Sequence, residues 1–328
     1  MTNKHLIGLI IGLLLAASFA WLTLHDVDFS TVWHILTQNL DVTSALGAIL
    51  AYAAFFWFKT LRWHYLLTPV TKIRTSKLVP YVLIGYAGNI ILPFQAGEAT
   101  RGYLLSRHHS VAAMTAISSI ALEKLFDFFA VLTFTTVALF LVNIQSTLLE
   151  TIVVSVASVL LVCVFILIAL ITFPQHTGSA IDALFNRLPK HKLMIRLRRW
   201  SHETIDGLMS LRQATIIMNL VTTTLFAWLC MLISLYLAIN AVQIEAGFAI
   251  SAIVLFLAAV GLALPTSPGF IGTIQAAFVF GMLPFGFSNE DAVAASIVYH
   301  ALITVIPLIT GLLCAVGLGV GSISPSRN

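Results

Sequence analysis

Two matched interruptions in long apolar runs constrain this chain more than any other feature. Residues 91–97 read Ile91-Leu92-Pro93-Phe94-Gln95-Ala96-Gly97, and residues 263–269 read Ala263-Leu264-Pro265-Thr266-Ser267-Pro268-Gly269. Both contain LPxxxG. Proline lacks a backbone donor and glycine accepts left-handed φ, so each site is expected to stop a helix and turn the chain. Within a bilayer, broken backbone is tolerated only where protein or a wet cavity covers it. A pair of breaks at corresponding places in two halves points to a binding site between inverted repeats.

The breaks belong to a membrane chain. Of 328 residues, 59% are hydrophobic and 9% charged, where soluble domains carry about a quarter charged residues. Apolar runs near the roughly 20 residues needed to span cover 6–24, 44–61, 112–142, 148–173, 215–241 and 291–320. Two more apolar regions, 78–92 and 246–284, hold the breaks. No hydrophilic stretch is long enough for a separate soluble domain, so 1–328 reads as one transmembrane domain. Its halves are 1–142 and 148–320. Cys163, Cys230 and Cys314 lie in apolar spans and read as small core residues. Residues 1–24 have the outline of a signal peptide, but the topology requires them as a helix.

Charge sets the orientation. Loop 25–43 holds Asp26, Asp28 and Asp41 without Lys or Arg, and the later turns hold Glu150, Glu245, Glu290 and Asp291. Lys59, Arg62, Lys72, Arg74 and Lys77 gather in one loop, and Arg187 through Arg212 in another. The positive-inside rule puts the basic loops and both termini in the cytoplasm, which makes this an inner-membrane, multi-pass protein. That assignment closes only if 78–107 enters and leaves from the basic side and 246–286 from the acidic side. The expected fold class is therefore an all-α polytopic integral membrane protein. It has six full transmembrane helices plus two re-entrant helical hairpins in an inverted repeat. Spacing agrees: Pro93 to Asp127 and Pro265 to Tyr299 are both 34 residues. Pro93, Gly97, Pro265, Pro268, Gly269 and Gly272 form the hairpin turns.

Between the halves, 178–212 is basic and amphipathic and is expected on the cytoplasmic leaflet, or as a positive loop fixing topology. Gly317, Gly319 and Gly321 are expected to serve helix packing.

Ionisable groups within a bilayer are costly and are candidates for function. Glu98, Arg101, Glu123, Lys124 and Asp127 qualify. Glu123 and Asp127, four apart, share a helix face. Lys124 is spaced to pair with Asp127, and Glu98 with Arg101. One reading is a neutralising ion-pair cluster that locks the hairpin. The other is a site where Arg101 and Lys124 receive an anionic phosphate and the carboxylates take a cation or proton. Arg62, beside Trp63 and His64, is placed at the cytoplasmic interface as a snorkelling side chain or a headgroup contact. In the second hairpin Thr266, Ser267, Thr273 and Gln275 offer neutral hydrogen-bonding groups, faced by Tyr299 and His300. Phosphate-loop, zincin, nucleophile-elbow and CxxC motifs are all missing. Neither catalytic residues, metal, cofactor nor nucleic-acid partner is indicated.

Arg62-Trp63, Asn89 to Pro93, Gly97-Glu98 with Arg101, Glu123-Lys124 with Asp127, and Pro268-Gly269-Phe270-Ile271-Gly272 resemble, in order, the flippase-like family. This is the transmembrane region of lysylphosphatidylglycerol synthetases, found in the N-terminal half of the multiple peptide resistance factor. The resemblance covers about residues 5–320. It implies a protein that moves phospholipids or isoprenoid-linked lipids between leaflets, with Glu98, Arg101, Glu123 and Asp127 at the polar positions. The synthetase's soluble aminoacyl-transferase domain has no counterpart here, which puts the identity of the lipid in doubt. The expected function is translocation of an anionic lipid. The alternatives are a small-solute or ion transporter, or a non-catalytic membrane subunit supporting a lipid-linked glycosyltransferase or synthetase. Membrane lipids are the expected partners, with a second copy or a lipid-modifying enzyme left open.

Overall fold

The computed structural model describes residues 17–38, 40–92, 95–109, 111–141, 214–263 and 268–320, with single positions between 151 and 198. Among these residues all regular structure is helical. The elements are α1 (Phe29–Gln38), α2 (Val42–Leu67), α3 (Thr75–Ile91), α4 (Ala96–His108), α5 (Ala113–Leu141), α6 (Ala214–Asn240), α7 (Gly247–Ala263), α8 (Thr273–Met282) and α9 (Asn289–Gly317). Short 3₁₀ turns occupy Pro268–Phe270 and Leu283–Phe285.

Length separates two kinds of helix. α2, α6 and α9 are each long and apolar enough to cross a membrane. α5, with 29 residues, also has the length. α3 and α4, with 17 and 13 residues, rise about 25 and 20 Å, against a hydrocarbon core of about 30 Å.

Contacts at the helix ends show which ends share a face. The Asp41 amide donates to the Ala241 carbonyl at 2.7 Å, joining the start of α2 to the end of α6. The Asp28 amide donates to Glu290 Oε1 at 3.3 Å, bringing the start of α9 to the same face. Asp41 also caps α2, accepting from the Thr43 and Ser44 amides. At the other face, Ile73 lies against His64, and His108, which ends α4, contacts Tyr81 near the start of α3. The α3–α4 pair therefore begins and ends at the basic end. α7 and α8 leave from and return to the acidic end, between the 241–246 turn and Ser288.

The packing pairs repeat between halves. α2 lies along α6. α3 packs on α4 as α7 on α8, α4 on α5 as α8 on α9, α2 on α3 as α6 on α7, and α9 on α3 as α5 on α7. A two-fold exchange of α2–α5 with α6–α9 produces this pattern, as the inverted repeat requires.

Without water to expel between helices, close approach of small residues and interhelical hydrogen bonds hold such bundles together. A Cβ at Gly311 on α9 would lie 2.5 Å from the Ala87 Cβ of α3, so only glycine allows that crossing. Ser234 on α6 donates to the Ala48 carbonyl of α2 at 2.9 Å. Pro307 within α9 cannot donate to the Ile303 carbonyl, and Tyr52 Oη from α2 lies 3.5 Å from that oxygen.

Several expectations change. The acidic loop 25–43 contains a helix, α1. Lys59 and Arg62 are not in a basic loop: both lie within α2 and are buried. Among the described residues nothing lies within 4 Å of a Cβ at Gly317 or Gly319, so neither makes a close helix contact with them; Gly319, with φ +65°, follows the end of α9. Pro93, Pro265, Cys163, Gly321, and most of the 6–24, 148–173 and 178–212 segments lie outside the described residues.

Candidate functional site

The first hairpin turns by bringing two backbones together. A Cβ at Gly97 would collide with the Gly85 carbonyl and the Asn89 amide, and one at Gly88 would lie 2.7 Å from the Gly97 Cα. Asn89 Oδ1 accepts the Glu98 amide at 3.2 Å, satisfying a donor at the start of α4. Gln95, just before α4, has φ 52°. Its Nε2 donates to the Leu262 carbonyl at 2.5 Å, next to the second break. α3 also touches the Pro268–Phe270 turn. Residues flanking the two breaks therefore meet.

Behind the first tip sits a buried charge cluster. Lys59 and Arg62, three apart on α2, face Glu123 and Asp127, four apart on α5. Lys59 Nζ lies 2.9 Å from Glu123 Oε1 and 2.6 Å from Asp127 Oδ2. Arg62 Nη2 lies 3.0 Å from Glu123 Oε1 and 2.8 Å from Asp127 Oδ1. Arg101 Nη2 on α4 donates to Glu123 Oε2 at 2.8 Å. α6 closes the ring: Trp228 Nε1 donates to Asp127 Oδ1 at 2.7 Å, and Arg62 Nη1 donates to Thr224 Oγ1 at 3.2 Å. Arg62 is fully buried and Arg101 is 1% exposed. At 1.5 Å per residue the cluster sits about 10–20 Å from the basic end.

Three cations face two carboxylates here, a formal excess of one positive charge. Burial makes that excess consequential, because an unpaired charge away from water is expensive. Arg101 Nε and Nη1 and Arg62 Nε have no hydrogen-bond partner among the described residues. The Arg101 guanidinium stacks 4.9 Å from the Trp63 ring, and its stem lies against Gly85. Its face is covered while part of its edge is unpartnered. At the rim, Lys124 pairs with Glu98 at 2.5 Å and reaches Gln95 Oε1 at 3.5 Å.

The pairing differs from the expected one. Lys124 binds Glu98 rather than Asp127, and Arg101 binds Glu123 rather than Glu98, because α4 crosses α5 with Arg101 directed inward. Arg62 leaves the interface for the centre of the cluster. Lys59, Trp228, Thr224 and Gln95 were missed. One signal was available: Lys59 and Arg62 share a helix face, complementary to that of Glu123 and Asp127.

The second hairpin is organised without charge. Gly269 and Gly272 take φ of +75° and +83°. Gln275 Oε1 accepts the Gly272 amide at 2.8 Å, and its Nε2 lies 3.1 Å from His300 Nδ1. His300 Nε2 lies 2.6 Å from the Gly269 carbonyl. That oxygen only accepts, so Nε2 carries the proton and Nδ1 accepts from Gln275. His300 therefore holds the turn. Tyr299, fully buried, packs against Phe278 of α8, the ring centres 5.6 Å apart and the planes tilted by 43°.

Helices that cross, helices that turn back in pairs, and a charge cluster where the pairs meet define a polytopic all-α membrane protein. The chain belongs to the family described as the lysylphosphatidylglycerol synthase transmembrane region, whose model matches residues 9–311. It is also similar to a UPF0104 membrane protein of Methanothermobacter thermautotrophicus. The two are 25% identical over 256 residues, covering 73% of this chain and 75% of that protein.

Proposed function

We propose that this protein translocates an anionic lipid between leaflets, the headgroup crossing where the two hairpin tips meet while the chains stay in the bilayer. The observation that carries this reading is the buried positive excess at the first tip, with unpartnered guanidinium nitrogens on Arg101 and Arg62. A phosphate oxygen satisfies such donors and neutralises the excess, and arginine suits phosphate geometrically. The sequence expectation that the carboxylates receive a cation loses support, because both already face cations. The first hairpin must shift to admit a headgroup, since Arg62 and Arg101 are closed off. The reading involves no chemical step, and it places the basic end at the cytoplasmic face of an inner membrane.

The test is reconstitution in liposomes with reporter lipids, scored by accessibility to a membrane-impermeant quencher. The expected result is flipping faster than in protein-free vesicles, lost in Arg101→Ala. Rates equal to protein-free vesicles across a broad lipid panel overturn the proposal. The near-complete burial of the cluster favours a second reading, an ion-pair lock in a subunit that holds a partner enzyme. On that reading, Arg101→Ala lowers stability but spares function once the protein is folded.

A further inference from the structure

We propose that α1 is an interfacial helix. It lies along the leaflet at the acidic end and inserts Phe29 and Trp33 at the boundary between headgroups and acyl chains. The partner is the lipid surface itself, gripped by aromatic rings rather than by attraction to charged lipid. This contact is independent of what the protein carries.

The placement follows from where the segment is tied. The Asp28 amide donates to Glu290 Oε1 at 3.3 Å, at the start of α9, and the Asp41 amide to the Ala241 carbonyl at 2.7 Å, at the end of α6. A segment fixed at both ends to one face runs along that face and does not cross. Depth follows from helix length. α2 has 26 residues and α9 has 29, about 39 and 44 Å against a hydrocarbon core of about 30 Å. Shared between two ends, the excess carries the start of each helix about 4–7 Å past the core, into the headgroup region. α1 packs on α9 and is tied at that level.

The side chains of α1 divide into three sectors. Asp28 fixes its start, accepting from the Ser30 amide at 2.9 Å and the Thr31 hydroxyl at 2.7 Å. Val32, 2% exposed, joins the core, and Ile35 packs against it. Ser30, His34, Thr37 and Gln38 form an exposed polar arc. The third sector holds Phe29 and Trp33, which are four apart and so share a face, and are 56% and 68% exposed. Protein on one side, water on another and bare aromatic rings on the third is the pattern of a helix lying in a membrane surface. Tryptophan suits that depth, with an apolar body and an N–H for the headgroups. Further along the chain Leu40, Val42, Leu46 and Leu50 are exposed as well. The apolar strip thus runs on into the side that α2, a crossing helix, turns to the acyl chains. That continuity identifies lipid as what covers Phe29 and Trp33.

Charge decides how the helix is held. No Lys or Arg occurs between Lys4 and Lys59, and Asp26, Asp28 and Asp41 flank α1. In chain order the corresponding segment of the second half is 178–212, which is rich in Lys and Arg. Basic segments are drawn to anionic headgroups. α1 has nothing to be drawn by, so its grip comes from burying aromatic surface.

The test uses the full chain in bilayer nanodiscs, with Cys163, Cys230 and Cys314 replaced by alanine and one nitroxide label at Phe29→Cys, Ser30→Cys, Trp33→Cys or His34→Cys. Labels at 29 and 33 are expected about 5–10 Å below the phosphates, colliding severalfold more with oxygen than with a water-soluble nickel chelate. Labels at 30 and 34 should show the reverse. The depths should be the same in phosphatidylcholine and in a mixture with phosphatidylglycerol. Nickel reaching 33 as readily as 34 overturns the proposal, as does insertion that appears only with the anionic lipid. A label at 33 shielded from both reagents and coupled to a second label assigns the face to another copy of the chain, and also overturns it. Trp33→Phe, in the otherwise unaltered protein, keeps an apolar ring and gives an independent reading. The emission it removes should be quenched by lipids brominated high on the acyl chain and spared by aqueous iodide; quenching by iodide alone sinks the assignment.

Discussion

Glu123 is the most connected member of the cluster, and replacing it tests the charge balance directly. In Glu123→Gln the shape is kept, but Lys59 and Arg62 then face only Asp127, and Arg101 loses its carboxylate partner. Removing one partner from a buried ion-pair set costs about 3–5 kcal/mol, because the remaining charges stay buried and uncompensated. Lys59→Met removes charge of the opposite sign. Arg62 still reaches Glu123 at 3.0 Å and Asp127 at 2.8 Å, and Arg101 still reaches Glu123 at 2.8 Å. Two cations then face two carboxylates. The lost charge-assisted contacts are worth about 1.5–3 kcal/mol, offset by relief of the surplus, so about 1–2 kcal/mol is expected to remain. Denaturant unfolding of both variants in one detergent, followed by circular dichroism, measures the two losses. Equal losses, or a Glu123→Gln loss under about 1 kcal/mol, would refute the argument that the cluster carries a consequential positive excess.

Gly97→Ala should prevent the first hairpin from closing, with little folded protein recovered from the membrane. Gly269→Ala, where φ is +75° but nothing among the described residues lies within 4 Å of the added carbon, should cost only about 1–2 kcal/mol of backbone strain; equal yields would disprove the contrast. Trp228→Phe keeps the ring and removes the donor to Asp127, so a loss of roughly 1.5–3 kcal/mol is expected in the same unfolding assay, and no loss would remove α6 from the cluster. Asp41, outside the spans, has its pKa lowered chiefly by its bond from the Ser44 hydroxyl, then by the Ser44 and Thr43 amides. A depressed folded pKa contributes stability above the unfolded value, about 3.9, that is lost as pH falls through the folded one. Asp41→Ala should therefore melt lower than wild type at neutral pH, with the gap shrinking below about pH 4. A gap independent of pH would contradict the capping role.

Much of the architecture is legible in the chain because membrane folding follows local rules. Apolar run length marks the crossings, and Pro and Gly mark where they fail. The segregation of acidic turns from basic loops requires paired helices that return to their own face, and the end-to-end contacts at Asp41, Glu290 and His108 agree with it. The misplaced residues share one cause. Lys59 and Arg62 lie near the end of a 26-residue helix, and a run counted by apolar content stops where the charges begin. The helix continues because those charges are buried against another helix.

Sequence alone determined that this chain lives in lipid, where its helices break, and that Glu123 and Asp127 would need cationic partners. The choice of those partners was decided by tertiary packing. Spacing along one helix shows which side chains share a face, but residues 68 apart such as Lys59 and Asp127 meet only when two helices cross at a particular height. Close glycine contacts bring other helices of the bundle together, Gly97 of α4 on Gly85 of α3 and Gly311 of α9 on Ala87 of α3. The packing of α2, α4, α5 and α6 together yields the positive surplus and the unpartnered arginine edges.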